Sequence, residues 1–123
     1  MPNILIIDDS PTDVRVFTTL LEKAGFAVSS VDNAEAGIER IRAERPDLVI
    51  MDVIMPGMNG FQATRTLSRD PATAEVPVVM ITTKSMETDR VWGLRQGARA
   101  FITKPVNEKE LLATIDNLLP KPH

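Results

Sequence analysis

Ile4-Leu5-Ile6-Ile7-Asp8-Asp9 and Leu48-Val49-Ile50-Met51-Asp52 decide the fold: each is a run of four apolar residues that stops abruptly on acid. Runs this short, bounded by polar residues, suit strands covered on both faces better than helices. A third and shorter run, Phe101-Ile102, leads into Lys104. If these runs are neighbouring parallel strands, their charged ends meet at one edge of a sheet. Carboxylates gathered in this way repel one another and lose hydration, which is expensive unless a cation sits among them. One lysine against three aspartates leaves two negative charges over, the charge of a single divalent metal ion.

Downstream of the first run, Ser10-Pro11-Thr12-Asp13 predicts a helix start, with Ser10 as N-cap, Pro11 at the first helical position and Asp13 supplying negative charge in the first turn. Val14, Phe17, Leu21 and Ala24 follow at helical spacing, and Gly25 closes the helix. Ala27 to Val31 is a more polar strand suited to an edge, and Ala34, Ile38 and Ile41 mark a second helix that ends before Pro46. After the Leu48–Met51 run, Pro56, Gly57, Asn59 and Gly60 predict a loop following Asp52. Phe61, Thr64 and Leu67 share a helical face, and Asp70-Pro71 ends that helix. Pro77 to Ile81 reads as a fourth strand with Thr82 just beyond its end. Val91 and Leu94 predict a fourth helix before Gly97, and Leu111, Leu112, Ile115, Leu118 and Leu119 a fifth after the Phe101-Ile102 strand.

Five β-α units in strict alternation require a parallel sheet, because each crossover holds a helix that must pack on a face with right-handed connection. The expectation is an α/β fold: a doubly wound five-stranded sheet of the flavodoxin-like type, strand order 2-1-3-4-5. Ligands of such sheets bind outside the carboxyl ends of the strands where the order reverses, here between strands one and three. Asp8, Asp9 and Asp52 occupy those two ends, with Thr82 and Lys104 ending strands four and five. Taken alone, Asp8-Asp9 would pass for helix-start charges. Five polar residues converging from four strands call for a functional reason.

A chain of 123 residues holds one domain, expected over residues 1–119, with Pro120 to His123 as a frayed tail and no fused output domain. Hydrophobic residues make up 43% and charged residues 25%, a balance that argues against disorder. There is no cysteine, and the one histidine is His123, so thiolate sites, histidine metal clusters and histidine-based triads are excluded by inventory. A net charge of −3 offers no attraction to nucleic acid phosphates. No apolar run is long enough to span a bilayer, and the start lacks the pattern of a secretory signal, so a cytoplasmic protein without membrane insertion is expected.

These residues resemble the receiver domain of two-component response regulators from the first strand to the last helix. The likeness is carried by Asp8-Asp9, Asp52 with Met55-Pro56-Gly57 and Gly60 after it, Thr82, Gly97-Ala98, Phe101 and Lys104-Pro105. More narrowly, Gly60 to Arg65, Thr82-Thr83-Lys84, Val91-Trp92-Gly93 and Arg95 to Arg99 are similar to stand-alone regulators of twitching motility.

The resemblance implies that Asp52 takes a phosphoryl group from a phosphohistidine of a sensor histidine kinase or phosphotransfer domain. It implies Mg²⁺ held directly by Asp9 and Asp52, by Asp8 through water and by the backbone carbonyl of Ile54, a hard oxygen set that suits this ion. Lys104 would pair with the phosphoryl oxygens, Thr82 would donate a hydroxyl, and Phe101 would turn inward as Thr82 moves, reshaping the face of the fourth helix, fifth strand and fifth helix. Phe101 departs from the tyrosine common at this position and must switch on packing alone. The same likeness points to a cis Lys104-Pro105 bond.

The output would be a phosphorylation-switched binding face for a motility or other signalling protein, from a monomer. The alternative is a phosphate sink that drains a shared kinase, recognised by an acyl phosphate lost within seconds and no captured partner. A metal-dependent phosphatase is disfavoured because Asp8-Asp9 lacks the Asp-x-Asp spacing of that chemistry. Elsewhere, Trp92 is expected at the edge of the core, Met51, Met55, Met58 and Met80 as core and loop filler, and Lys84, Arg90, Arg95 and Arg99 as solvated surface.

Overall fold

The computed structural model describes residues 1–119; Pro120 to His123, expected as a frayed tail, lie outside the described residues. Five strands alternate with five helices: β1 (Asn3–Ile7), α1 (Pro11–Lys23), β2 (Ala27–Val31), α2 (Ala34–Glu44), β3 (Leu48–Met51), α3 (Gly60–Arg69), β4 (Val78–Thr82), α4 (Glu87–Gln96), β5 (Ala100–Thr103) and α5 (Glu108–Leu118). All pairings are parallel and the order is β2-β1-β3-β4-β5, as the alternation requires.

Register turns these strands into a site. Ile7 pairs with Met51 and Thr82 with Thr103, so the next residues, Asp8, Asp52 and Lys104, leave the sheet along a common edge. The hydrogen-bond ladder runs on through them: Asp52 N–H donates to Ile7 O at 3.0 Å and Lys104 N–H to Thr82 O at 2.8 Å.

The apolar runs are buried because successive side chains leave opposite faces of a strand. Ile4, Ile6, Leu48, Ile50, Val79, Ile81 and Ile102 pack on one face against Phe17 and Leu21 of α1 and Leu111 and Ile115 of α5. Leu5, Ile7, Val49, Met51 and Val78 pack on the other against Ala34, Ile38 and Ile41 of α2 and Ala63 and Leu67 of α3. Each fully buried Leu, Ile or Met contributes about 2 kcal/mol, so the strand ends that carry the charged residues are firmly held.

The helix starts follow the chain's own caps. Ser10, Asn33, Asn59 and Asn107 each accept a backbone N–H of the first turn, and Asn59 and Gln62 form a reciprocal pair at α3. At the other end of α1, Gly25 takes φ +98°, and Phe26 N–H closes back on Leu21 O at 3.1 Å.

Four details differ from the sequence reading. Thr82 is the last residue of β4 rather than lying beyond it, because it pairs with Thr103. Ala24 is exposed as the α1 cap. Trp92 is 47% exposed and Val91 39%, so neither belongs to the core. The buried face of α4 is instead made by Gly93 and Gln96, since only the missing side chain of Gly93 lets the helix lie close on Met80 and Phe101. The four methionines behave as expected: Met51 and Met80 are fully buried, and Met55 and Met58 line the second core.

Candidate functional site

Lys104 is the hub. Its ammonium donates to Asp8 Oδ2 at 3.0 Å, Asp52 Oδ2 at 3.0 Å and Asp13 Oδ2 at 2.6 Å. The lysine side chain is 10% exposed, and the Asp8 and Asp52 side chains 1% and 9%. The backbone around them fixes the carboxylates further. Ser10 N–H donates to Asp8 Oδ1 at 2.9 Å, and Ile54 N–H to Asp52 Oδ1 at 3.3 Å. The Lys104-Pro105 bond is cis, as the resemblance indicated.

Of the remaining candidates, Asp9 joins this centre. Asp9 is exposed, yet it offers a carboxylate oxygen within 4.8 Å of those of Asp8 and Asp52. Thr82 is fully buried, and its hydroxyl oxygen accepts Lys84 N–H at 3.4 Å, which leaves its own proton for another acceptor. Phe101 is half-buried against Val53, Met80 and Ala98, with its ring under Gly93 of α4. Lys84, expected as plain surface, makes an ion pair with Asp89 at 3.4 Å, while Arg90, Arg95 and Arg99 are exposed.

Sequence reasoning gave Asp13 only a helix-start role. The structure puts its carboxylate on Lys104 because the third residue of α1 faces back over the strand ends. The available signal was the Asp13-to-Phe17 spacing of four, one helical turn, which puts Asp13 on the face of α1 that carries the core residue Phe17.

Burial pushes the Asp8 carboxyl above its ordinary 3.8, and the neighbouring Asp52 charge adds to this; Ser10 N–H and Lys104 pull the other way without cancelling it. Burial pulls Lys104 down, but the bonds to Asp13, Asp8 and Asp52 more than offset it and hold the ammonium above its ordinary 10.5. The consequences have opposite signs. A raised lysine stabilises the fold fully below 10.5 and loses that contribution only as the pH climbs through its folded value. A raised carboxylate weakens the fold progressively as the pH rises from its ordinary 3.8, and the full cost is present above its folded value. Asp8→Asn is therefore expected to stabilise the metal-free protein at neutral pH by on the order of 1 kcal/mol. That gain should fade as the pH falls toward 3.8, and urea unfolding across that range checks it. A constant difference at every pH would show that charge is not the cause.

Asp8, Asp9, Asp13 and Asp52 set four carboxylates against one lysine, so the centre is short of positive charge. Asp8, Asp9 and Asp52 converge without sulfur or imidazole, and such an all-oxygen set fits a hard divalent cation of the Mg²⁺ type. A carboxylate, a lysine and a hydroxyl around one cation-ready pocket can hold and neutralise a phosphoryl group, which needs positioning and charge compensation more than acid-base chemistry.

Fold and site together are those of a response regulator. Residues 4–116 match the response regulator receiver domain, and the chain belongs to that family. It is 53% identical over 119 residues to Protein PilH of Pseudomonas aeruginosa, spanning 97% of this chain and 98% of that protein. Response regulator PleD of Caulobacter vibrioides is 36% identical over 115 residues, with this chain spanning 25% of its length. Among solved structures, the chemotaxis protein CheY4 of Vibrio cholerae superimposes with a TM-score of 0.88 at 28% identity, over 97% of this chain and 99% of that one. No helix among the described residues is long and apolar enough to cross a membrane.

Proposed function

We propose that residues 1–119 act as a receiver that accepts a phosphoryl group on Asp52 from a phosphohistidine of a sensor histidine kinase or phosphotransfer domain. In the transfer an Asp52 carboxylate oxygen forms the new bond to phosphorus while the bond from phosphorus to the donor imidazole nitrogen breaks, leaving the ring to take up a proton. The observation that carries this reading is the ion-paired Asp52, buried beside Asp8 and Lys104 at the carboxyl edge of the sheet.

Asp8, Asp9, Asp52 and the Ile54 carbonyl would hold Mg²⁺, which when bound neutralises charge on the carboxylates and the incoming phosphoryl oxygens. Lys104 supplies a mobile positive charge for one phosphoryl oxygen, and Thr82 supplies a hydroxyl donor for another. Withdrawal of Thr82 toward the phosphate would let Phe101, whose ring now packs directly against Gly93 of α4, turn inward into the space that Thr82 vacates. Shifting such a two-state equilibrium from mostly off to mostly on takes about 5 kcal/mol, within reach of two new polar contacts to a dianion. The receptive partner would be a signalling protein of pilus-based motility, a reading supported by the 53% identity to Protein PilH.

The test is to incubate the protein with acetyl phosphate and Mg²⁺ and weigh it intact. One phosphoryl adduct is expected, absent after chelation and absent in Asp52→Asn. Equal labelling of the Asn variant would remove Asp52 from the chemistry.

A further inference from the structure

An ammonium has three N–H donors, and Lys104 uses one each on Asp8, Asp13 and Asp52. Two of these acceptors belong to the carboxylate trio that fits a cation; Asp13 does not. Asp13 also makes the shortest of the three bonds, at 2.6 Å. Phe17 lies one turn further along α1, on the same helical face, with its ring centroid 5.9 Å from the ammonium. Helix α1 thus presents the lysine with an anion and an aromatic ring of its own, beside the acidic trio.

A divalent cation entering the trio cannot share Asp8 and Asp52 with the ammonium at no cost, because the two positive charges repel within a few ångströms. The ammonium must give way while staying close enough to meet a phosphoryl group on Asp52. We propose that Asp13, with Phe17 beside it, is a positioning residue that takes over the Lys104 ammonium when a divalent cation occupies the Asp8-Asp9-Asp52 pocket, so that cation binding and lysine placement are coupled. This rests on the metal-binding part of the reading above. Without Asp13 the ammonium has only Asp8 and Asp52 left and competes with the cation for them.

The test is a double-mutant cycle on Mg²⁺ affinity, measured by calorimetry at low ionic strength on the unaltered protein, Asp13→Asn, Lys104→Met and the double variant. Asn retains the helix-start character of a half-exposed position, so folding is kept. Asp13→Asn is expected to weaken Mg²⁺ binding about tenfold when Lys104 is present, a coupling of ordinary size. With Lys104 gone, the same change should weaken it no more than about twofold, the residue of a lost distant charge.

Equal weakening in both backgrounds would mean that Asp13 acts only as a negative charge and would overturn the proposal. No Mg²⁺ binding by the unaltered protein would overturn it together with the metal reading. These constants are read without any phosphoryl donor, so a failure of Asp52 to accept phosphate shows up separately, in the intact-mass experiment.

Discussion

Lys104→Met is expected to lower stability at neutral pH by about 3 kcal/mol in Mg²⁺-free buffer, the scale on which removing one partner of a buried ion pair destabilises a fold. Methionine keeps an unbranched apolar stem of similar length, so the loss is of charge more than of packing. What it leaves behind is Asp8 and Asp52, nearly sealed from water, and Asp13, half open, with no ammonium among them. Each must then be charged without compensation or take up a proton, and either choice is paid by the folded state. The deficit should shrink on acidification, because protonated carboxylates no longer need the lysine. It should also shrink with Mg²⁺, because without a competing ammonium the variant binds the cation more tightly than the parent, and in excess cation each tenfold of tighter binding adds about 1.4 kcal/mol more to the variant than to the parent. Urea unfolding of both proteins with and without Mg²⁺ checks this. A variant as stable as the parent in the absence of metal would mean that Lys104 is not what holds the acidic edge together.

That edge was legible in the sequence because β1 and β3 are buried on both faces, so their apolar runs mark their own ends, and register carries Asp8 and Asp52 to the same level. Asp13 was harder to place. An acid in the first turn of a helix has a sufficient local reason, the unpaired N–H groups there, and local reasoning stops once it finds one. Helix α4 was misread for the opposite cause. Its inward face is defined by a glycine and a glutamine, Gly93 and Gln96, whereas its apolar Val91 and Trp92 point out. A search for apolar spacing follows the wrong side of such a helix. The contact is specified by what Gly93 lacks, because a Cβ there would stand 2.8 Å from Met80 Sδ and 3.0 Å from the Phe101 ring. A missing atom leaves no pattern in hydrophobicity.

Gly60 follows the same logic against a harder wall, and Gly60→Ala should therefore cost more. A Cβ at this first residue of α3 would collide with the Asp52 carbonyl oxygen and lie 2.8 Å from Val53 Cα and 2.9 Å from the Asp52 carbonyl carbon. Every one of these is backbone, so no rotamer change relieves the contact. The Gly60 N–H is meanwhile tied to Val53 O at 2.9 Å, which keeps the helix start from drifting away. Overpacking a tight site typically costs 1–3 kcal/mol, and with no flexible neighbour to yield, about 3 kcal/mol is expected from urea unfolding. Gly25→Ala is the control: its φ of +98° makes a side chain strained, but nothing lies within 4 Å of the added carbon, so only about 1 kcal/mol should be lost. The two variants also separate at the site. Strain at Gly25 stays at the end of α1 remote from the acidic edge, whereas the Gly60 collision falls on the residue that carries the proposed phosphoacceptor. Labelling by acetyl phosphate should accordingly slow at least tenfold in Gly60→Ala, since about 1.4 kcal/mol of misplacement suffices for that, and remain unchanged in Gly25→Ala. Equal labelling rates in the two would show that the loop after Asp52 absorbs the collision before it reaches the carboxylate.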